Sequence, residues 1–173
     1  SSGAVNDPAA MQFRQRCLSD TGFLARNLLG WDYDEGPDHQ KLNPGEGGIR
    51  AEGSHQQIVE ILDDRATRYK FIQAPRGSYK STILQAFIIR QILLNPDVRV
   101  MYASATNALV EDKSDAIRKS LESENVARWF GQQKGAPWES TRFTVAGRQQ
   151  ATLQNPTFSG FSMESMPAGG RAN

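Results

Sequence analysis

A lysine followed by two hydroxyl residues, Lys80-Ser81-Thr82, stands where a short β-type run gives way to a long apolar one. In YKFIQAPRGSYKST the order reads as a strand over residues 69–73, a tight loop ending in Lys80-Ser81-Thr82, and then a long apolar helix that runs to Asn95. Phosphate is held at such a junction, because the unpaired N–H groups of a helix N-terminus and the helix dipole both favour negative charge. The lysine supplies a point charge for the β/γ-phosphates, and the hydroxyl of Ser81 a ligand for Mg²⁺. The chemistry implied is that of a nucleoside triphosphate.

The loop departs from the general pattern G-x-x-x-x-G-K-[ST]. Ala74 and Tyr79 occupy the two glycine positions, and Gly77 is the loop's only glycine. A tyrosine before the lysine is expected in an ordinary φ/ψ region with its ring turned out of the loop, since positive φ is costly for a bulky residue. A Pro/Gly turn with Lys80 merely solvated is the competing reading. It leaves unexplained why a cation sits in a first helical turn, where the dipole opposes it.

The elements around the loop must position it. The helix after the loop is apolar over most of its circumference and is expected to be buried, with Pro96 ending it. A second strand follows over residues 98–103, so strand, helix and strand form a βαβ crossover that favours a parallel sheet. A helix from His55 to about Arg65 precedes the loop, with Ser54 as N-cap and Ile58, Val59, Ile61 and Leu62 as its apolar stripe. Another helix opens at residues 104–107 and runs to about Ser123, with Arg118 and Lys119 toward its end. Residues 142–145, 151–153 and 158–163 alternate as strands. Residues 11–30 read as one or two short helices stopped by Gly30. Residues 31–54 have no periodicity and read as a loop. The acidic group Asp32, Asp34, Glu35 and Asp38 beside His39 reads as a solvated turn rather than a metal site. Trp129, Phe130 and Trp138 read as packing residues before base-stacking ones.

With 173 residues the chain can bury a sizeable core. A net charge of +1 supplies no global basic field to mark a nucleic-acid binder, so any DNA contact would be local. One cysteine, Cys17, excludes an internal disulfide and a multi-cysteine zinc site, and reads as a small buried hydrophobe. No apolar run reaches the ~18–20 residues of a membrane span. A reducing, intracellular location without membrane attachment is the expectation.

Together, QAPRGSYKST, RVMYASAT with its following helix, FLARNLLGWDYDE, SHQQIVEIL and the closing SMPAGGRAN resemble the ATPase domain of large terminase subunits of tailed bacteriophages, the motors that package viral DNA. The resemblance implies an α/β P-loop NTPase fold of the RecA/ASCE kind, with a mainly parallel sheet flanked by helices. It divides the chain into a flexible residues 1–10 and an ATPase part over residues 11–173. The acidic Mg²⁺-binding strand and a C-terminal endonuclease domain would lie beyond Asn173, after the Gly170-Arg171 turn, so this stretch alone would be inactive. ATP and Mg²⁺ are the implied cofactors, with Lys80 on the phosphates and Ser81 on the metal. Gly77, Ser78, Tyr79, Lys80, Ser81 and Thr82 would cradle the phosphates. Gln56 or Gln57 would face the adenine, and Arg76 would act with Lys80 in catalysis as a charge-neutralising finger. The implied partners are double-stranded DNA, a portal protein, a small terminase subunit and further copies in a ring, at the procapsid portal in the host cytoplasm. A P-loop helicase or translocase, and a non-catalytic nucleotide-binding assembly module, are the alternatives.

Overall fold

The computed structural model describes residues 7–31, 53–76, 78–149 and 155–165. It is an α/β structure in which a mixed four-stranded sheet is flanked by helices. The chain enters through α1 (Pro8–Ser19), where Asp7 accepts a hydrogen bond from the Ala9 amide and proline takes the first helical position. The helix thus starts before Met11. Asp20 caps the short α2 (Thr21–Phe23) through the Phe23 amide at 2.9 Å. That helix continues as a π-turn over Leu24–Leu28, and Gly30, at φ 70°, ends the run as expected.

α3 (Gly53–Asp63) starts one residue ahead of Ser54, so that serine lies inside the first turn rather than capping it. Its buried stripe is Ile58, Val59 and Leu62, whereas Ile61 faces solvent. α4 (Lys80–Leu94) is the central helix, burying Ile83, Ala86, Ile88, Ile89 and Ile92 before Asn95 and Pro96 stop it. β1 (Val100–Ser104) follows. Then comes α5 (Asn107–Leu121), capped by Thr106 and buried along Val110, Ser114, Ile117 and Leu121. α6 (Glu124–Phe130) is capped by Ser123. β2 (Lys134–Trp138), β3 (Arg142–Val145) and β4 (Phe158–Ser162) complete the sheet, in the order β1-β4-β3-β2.

The sheet is mixed, not mainly parallel. β1 and β4 pair in parallel from Val100 opposite Phe158 to Ser104 opposite Ser162, while β3 runs antiparallel to both β4 and β2. Parallel pairing requires a long crossover, and here it carries α5, α6 and the β2–β3 hairpin. The strand expected over residues 69–73 is absent among the described residues. Its side chains keep a strand's alternation, with Tyr69, Phe71 and Gln73 exposed and Lys70, Ile72 and Ala74 half-buried. No backbone hydrogen bond joins it to the described sheet. Local preference sets the alternation, but a strand exists only with a neighbour to fill its ladder. The expected crossover from that strand to β1 is therefore not formed. The expected strand at 151–153, the 32–39 acidic group and the closing 166–173 segment lie outside the described residues.

α5 lies so close over β4 that a Cβ on Gly160 would come within 2.4 Å of Val110 Cγ1, which only glycine permits. Under it Phe143 and Phe158 stack at 4.9 Å, and Trp138 tilts onto Phe143 at 5.0 Å. Trp129 meets Phe13 at 4.5 Å. The tryptophans pack, as their surroundings suggested. Cys17 is fully buried, and that burial pushes its thiol up to about 12 from an ordinary 9.0. The native protein is therefore expected to resist a thiol reagent at pH 8 until it unfolds, because the neutral thiol is not the nucleophile. The unfolded chain loses this proton first, so stability falls as pH climbs from about 9 toward about 12. Fast labelling of the native protein at pH 8 would contradict the burial.

Candidate phosphate-binding site

The candidate site is the start of α4 and the chain leading into it. The first intrahelical bond runs from the Ile83 amide to the Tyr79 carbonyl at 2.9 Å, so the amides of Lys80, Ser81 and Thr82 stand outside the ladder. No side chain caps this terminus. Lys80, in the first turn, folds back over the loop and donates from Nζ to the carbonyls of Ala74 at 2.9 Å and Pro75 at 3.2 Å. Ser78 Oγ donates to the same Pro75 carbonyl at 2.8 Å. The loop is thus closed by its own lysine and serine around two carbonyls. The ammonium group rests on neutral acceptors, which it can exchange for an anion.

Tyr79 sits at φ 55°, ψ 14°, in the left-handed region. The expectation of ordinary backbone there was wrong. A left-handed residue costs about 1–2 kcal/mol for an L side chain, and something must offset it. The ring does so: it is half-buried against the apolar core and meets His55 edge-on, with centroids 5.3 Å apart at 85°. The general pattern puts glycine at this position for its backbone freedom; here tyrosine takes the same conformation and holds it by packing. Tyr79→Gly and Tyr79→Ala both remove the ring, but only glycine tolerates the backbone. In urea unfolding, the glycine variant is expected to be more stable than the alanine variant by about 1 kcal/mol. Equal stability would mean the left-handed turn is not what position 79 requires.

The same contact brings α3 to the loop. Gln56 is half-buried and its amide is tied to Glu60 Oε1 at 3.0 Å within the helix, while Gln57 is exposed. Both lie in the first turns of α3, beside His55. Arg76 is exposed at the loop's turn, and among the described residues it makes no ion pair. Ser81 is exposed and Thr82 half-buried on the first turn of α4. Gly77 lies outside the described residues. Arg76, Ser78, Lys80, Ser81 and Thr82 are thereby gathered at one helix terminus, which α3 meets through His55, while no contact brings Gln56 or Gln57 to it among the described residues. No group of three or more His, Cys, Asp or Glu side chains among the described residues could hold a metal ion.

Sequence reasoning missed a cluster behind the site. Arg90 on α4 is 2% exposed, and its guanidinium reaches Thr21 Oγ1, the Leu18 carbonyl and Asp63 Oδ1. Burial pulls its proton affinity below the ordinary arginine value, and the Asp63 carboxylate opposes that pull. One signal was present: a lone charged residue inside an otherwise apolar helix must find partners once buried. Among the described residues no helix is long and apolar enough to cross a membrane. Comparison with family models, curated proteins and solved structures found no match for this chain.

Proposed function

We propose that this chain carries the nucleoside-triphosphate site of a P-loop ATPase, the ATP-binding part of a viral DNA-packaging motor of the terminase large-subunit kind. The observation that carries the reading is the uncapped start of α4, where Lys80 lies folded over the loop beside amides left outside the helical ladder. A triphosphate suits that terminus by charge and by hydrogen-bond direction. On binding, Lys80 leaves the Ala74 and Pro75 carbonyls for phosphate oxygens. The amides from Ser78 to Thr82 line the cradle, and Gln56 or Gln57 lies on the side open to the base.

Mg²⁺ fits this donor set through the exposed Ser81 hydroxyl and the phosphates themselves. When bound it would neutralise charge on the β- and γ-phosphates. Arg76, exposed in the loop, supplies a second positive charge. Coupling of turnover to double-stranded DNA movement, a ring of copies, a portal protein and small-subunit partner, a nuclease domain and a place at the procapsid portal belong to the same proposal. They rest on the sequence resemblance.

The deciding experiment is thermal unfolding of the intact protein with Mg·ATP. Ligand at about 100 times its dissociation constant adds ~2.7 kcal/mol of stability and raises Tm accordingly. Lys80→Ala should lose that shift. A wild-type Tm indifferent to saturating Mg·ATP would sink the nucleotide reading.

A further inference from the structure

Residues 69–73 alternate as a strand does, yet their backbone makes no hydrogen bond among the described residues. The inward row is nonetheless fixed. Lys70 donates from Nζ to the Asp64 carbonyl and, at 2.8 Å, to the Thr67 carbonyl, and it lies 3.9 Å from Asp64 Oδ2. Ile72 and Ala74 pack against the core. Tyr69, Phe71 and Gln73 form the outward row, and all three are exposed. The stretch is thus one side of a ladder, held in place by alternate side chains while its amides and carbonyls have no partner among the described residues.

Each of those amides and carbonyls is an obligatory hydrogen-bonding group, and a second extended segment satisfies a row of them at once. This is recognition by strand addition, in which main-chain bonds give affinity and alternate side chains give specificity. The surroundings select the partner. Arg65, Arg68 and Arg76 are exposed and make no ion pair among the described residues. Asp64 is the one carboxylate between residues 64 and 76, and it is engaged by Lys70 and by the Ala66 amide. A second copy of this chain would bring the same cations to the edge, and like charges set opposite one another are destabilising. A segment carrying carboxylates between apolar residues meets the arginines with opposite charge and offers Tyr69 and Phe71 an apolar neighbour.

We infer that residues 69–73 are a docking edge for an acidic, extended segment of a partner protein, which joins them as a further strand. The inference does not depend on the nucleotide reading, although the edge runs straight into Ala74 and Pro75, whose carbonyls hold Lys80.

The test follows amide hydrogen exchange by NMR in the intact wild-type protein, alone and with a synthetic peptide of alternating glutamate and valine. A peptide with lysine in place of glutamate is the control. Alone, the amides of residues 69–73 are expected to exchange at rates near those of an unfolded chain. With the acidic peptide every second one should slow by about tenfold or more, either at 70 and 72 or at 69, 71 and 73, because a ladder bonds alternate residues on one edge. The lysine peptide should bind about tenfold more weakly, the combined effect of two or three exposed ion pairs. Arg65→Glu with Arg68→Glu should reverse that order, with circular dichroism and Tm as folding checks. The wild-type exchange pattern decides the matter if the double variant does not fold. Slowing of none of these amides, or of all alike, would mean the peptide adds no strand and overturn the inference. Alternate amides already slow without peptide would mean the edge is filled from within the chain or, if the slowing fades on dilution, by a second copy, and either result overturns it. A single-stranded oligonucleotide that displaces the acidic peptide and leaves the amides exchanging freely would reassign the arginines to phosphate and do the same.

Discussion

On the proposed ATPase reading, replacing Arg76 by alanine should lower ATP turnover by ~10³–10⁵ in the intact protein, the range of arginine fingers in phosphoryl transfer. The residue stands exposed between Pro75, which stiffens the approach, and the turn that leads into α4. Its charge is uncommitted to any carboxylate among the described residues, so reaching a phosphate breaks no ion pair. An interaction that forms mainly as charge redistributes in the transition state affects rate rather than affinity. Nucleotide binding by Arg76→Ala should therefore stay within about tenfold of wild type. Lys80→Ala should behave oppositely and weaken binding itself, because on the proposed reading that ammonium would meet the phosphates already in the ground state. Single-turnover rates and equilibrium affinities for both variants separate the roles. An Arg76→Ala protein that turns over ATP at a near wild-type rate would leave Arg76 as a scaffold residue of the loop.

Arg90→Met should destabilise the protein by about 3–5 kcal/mol, the cost of stranding the partner of a buried ion pair. With the guanidinium gone, Asp63 keeps, among the described residues, its bonds from Thr21, and the Leu18 carbonyl loses the Arg90 donor. Asp63→Asn should cost a similar amount, because it leaves the Arg90 guanidinium, 2% exposed, without its counter-charge and turns an oxygen that accepts from Thr21 into a donor. Both costs can be read from urea midpoints at unchanged slope. If Asp63→Asn proved nearly neutral, the hydrogen-bond geometry rather than the carboxylate's charge would be what holds the cluster.

The parts of this structure legible in the sequence were those fixed locally. α4 announced itself through a long apolar run stopped by Pro96, and α5 through the polar opening at residues 104–107 and the basic Arg118 and Lys119 toward its end. Gathering of Lys80, Ser81 and Thr82 at a helix start followed from their order alone. Features decided by distant partners were not legible. β2 holds Gly135 and Pro137, which argue against a strand, yet at the sheet's margin a proline omits no needed ladder bond. Tyr79 was assigned ordinary backbone from its own sterics, and packing on His55 outweighed them. The 69–73 stretch has strand chemistry but no neighbour among the described residues, so pattern and pairing part company there. Arg90 drew no reading from the sequence, because its meaning lay in Thr21 and Asp63, far away in the chain.

That unpaired 69–73 stretch also bears on how the protein behaves at high concentration. Tyr69 is 83% exposed and Phe71 88%, on backbone that has no ladder partner in the described sheet. Met101, 73% exposed, lies on β1, which is itself an outer strand of the sheet formed by the described residues. Extended apolar stretches with unfilled ladders template association between molecules. Arg68 and Lys70 flank Tyr69, and Arg99 precedes β1, so like charges guard both stretches as gatekeepers. Such protection is electrostatic, and salt screens it, with a Debye length of about 3 Å at 1 M. High ionic strength, usually chosen to keep proteins dispersed, would here favour clumping, and dilute buffer would suppress it.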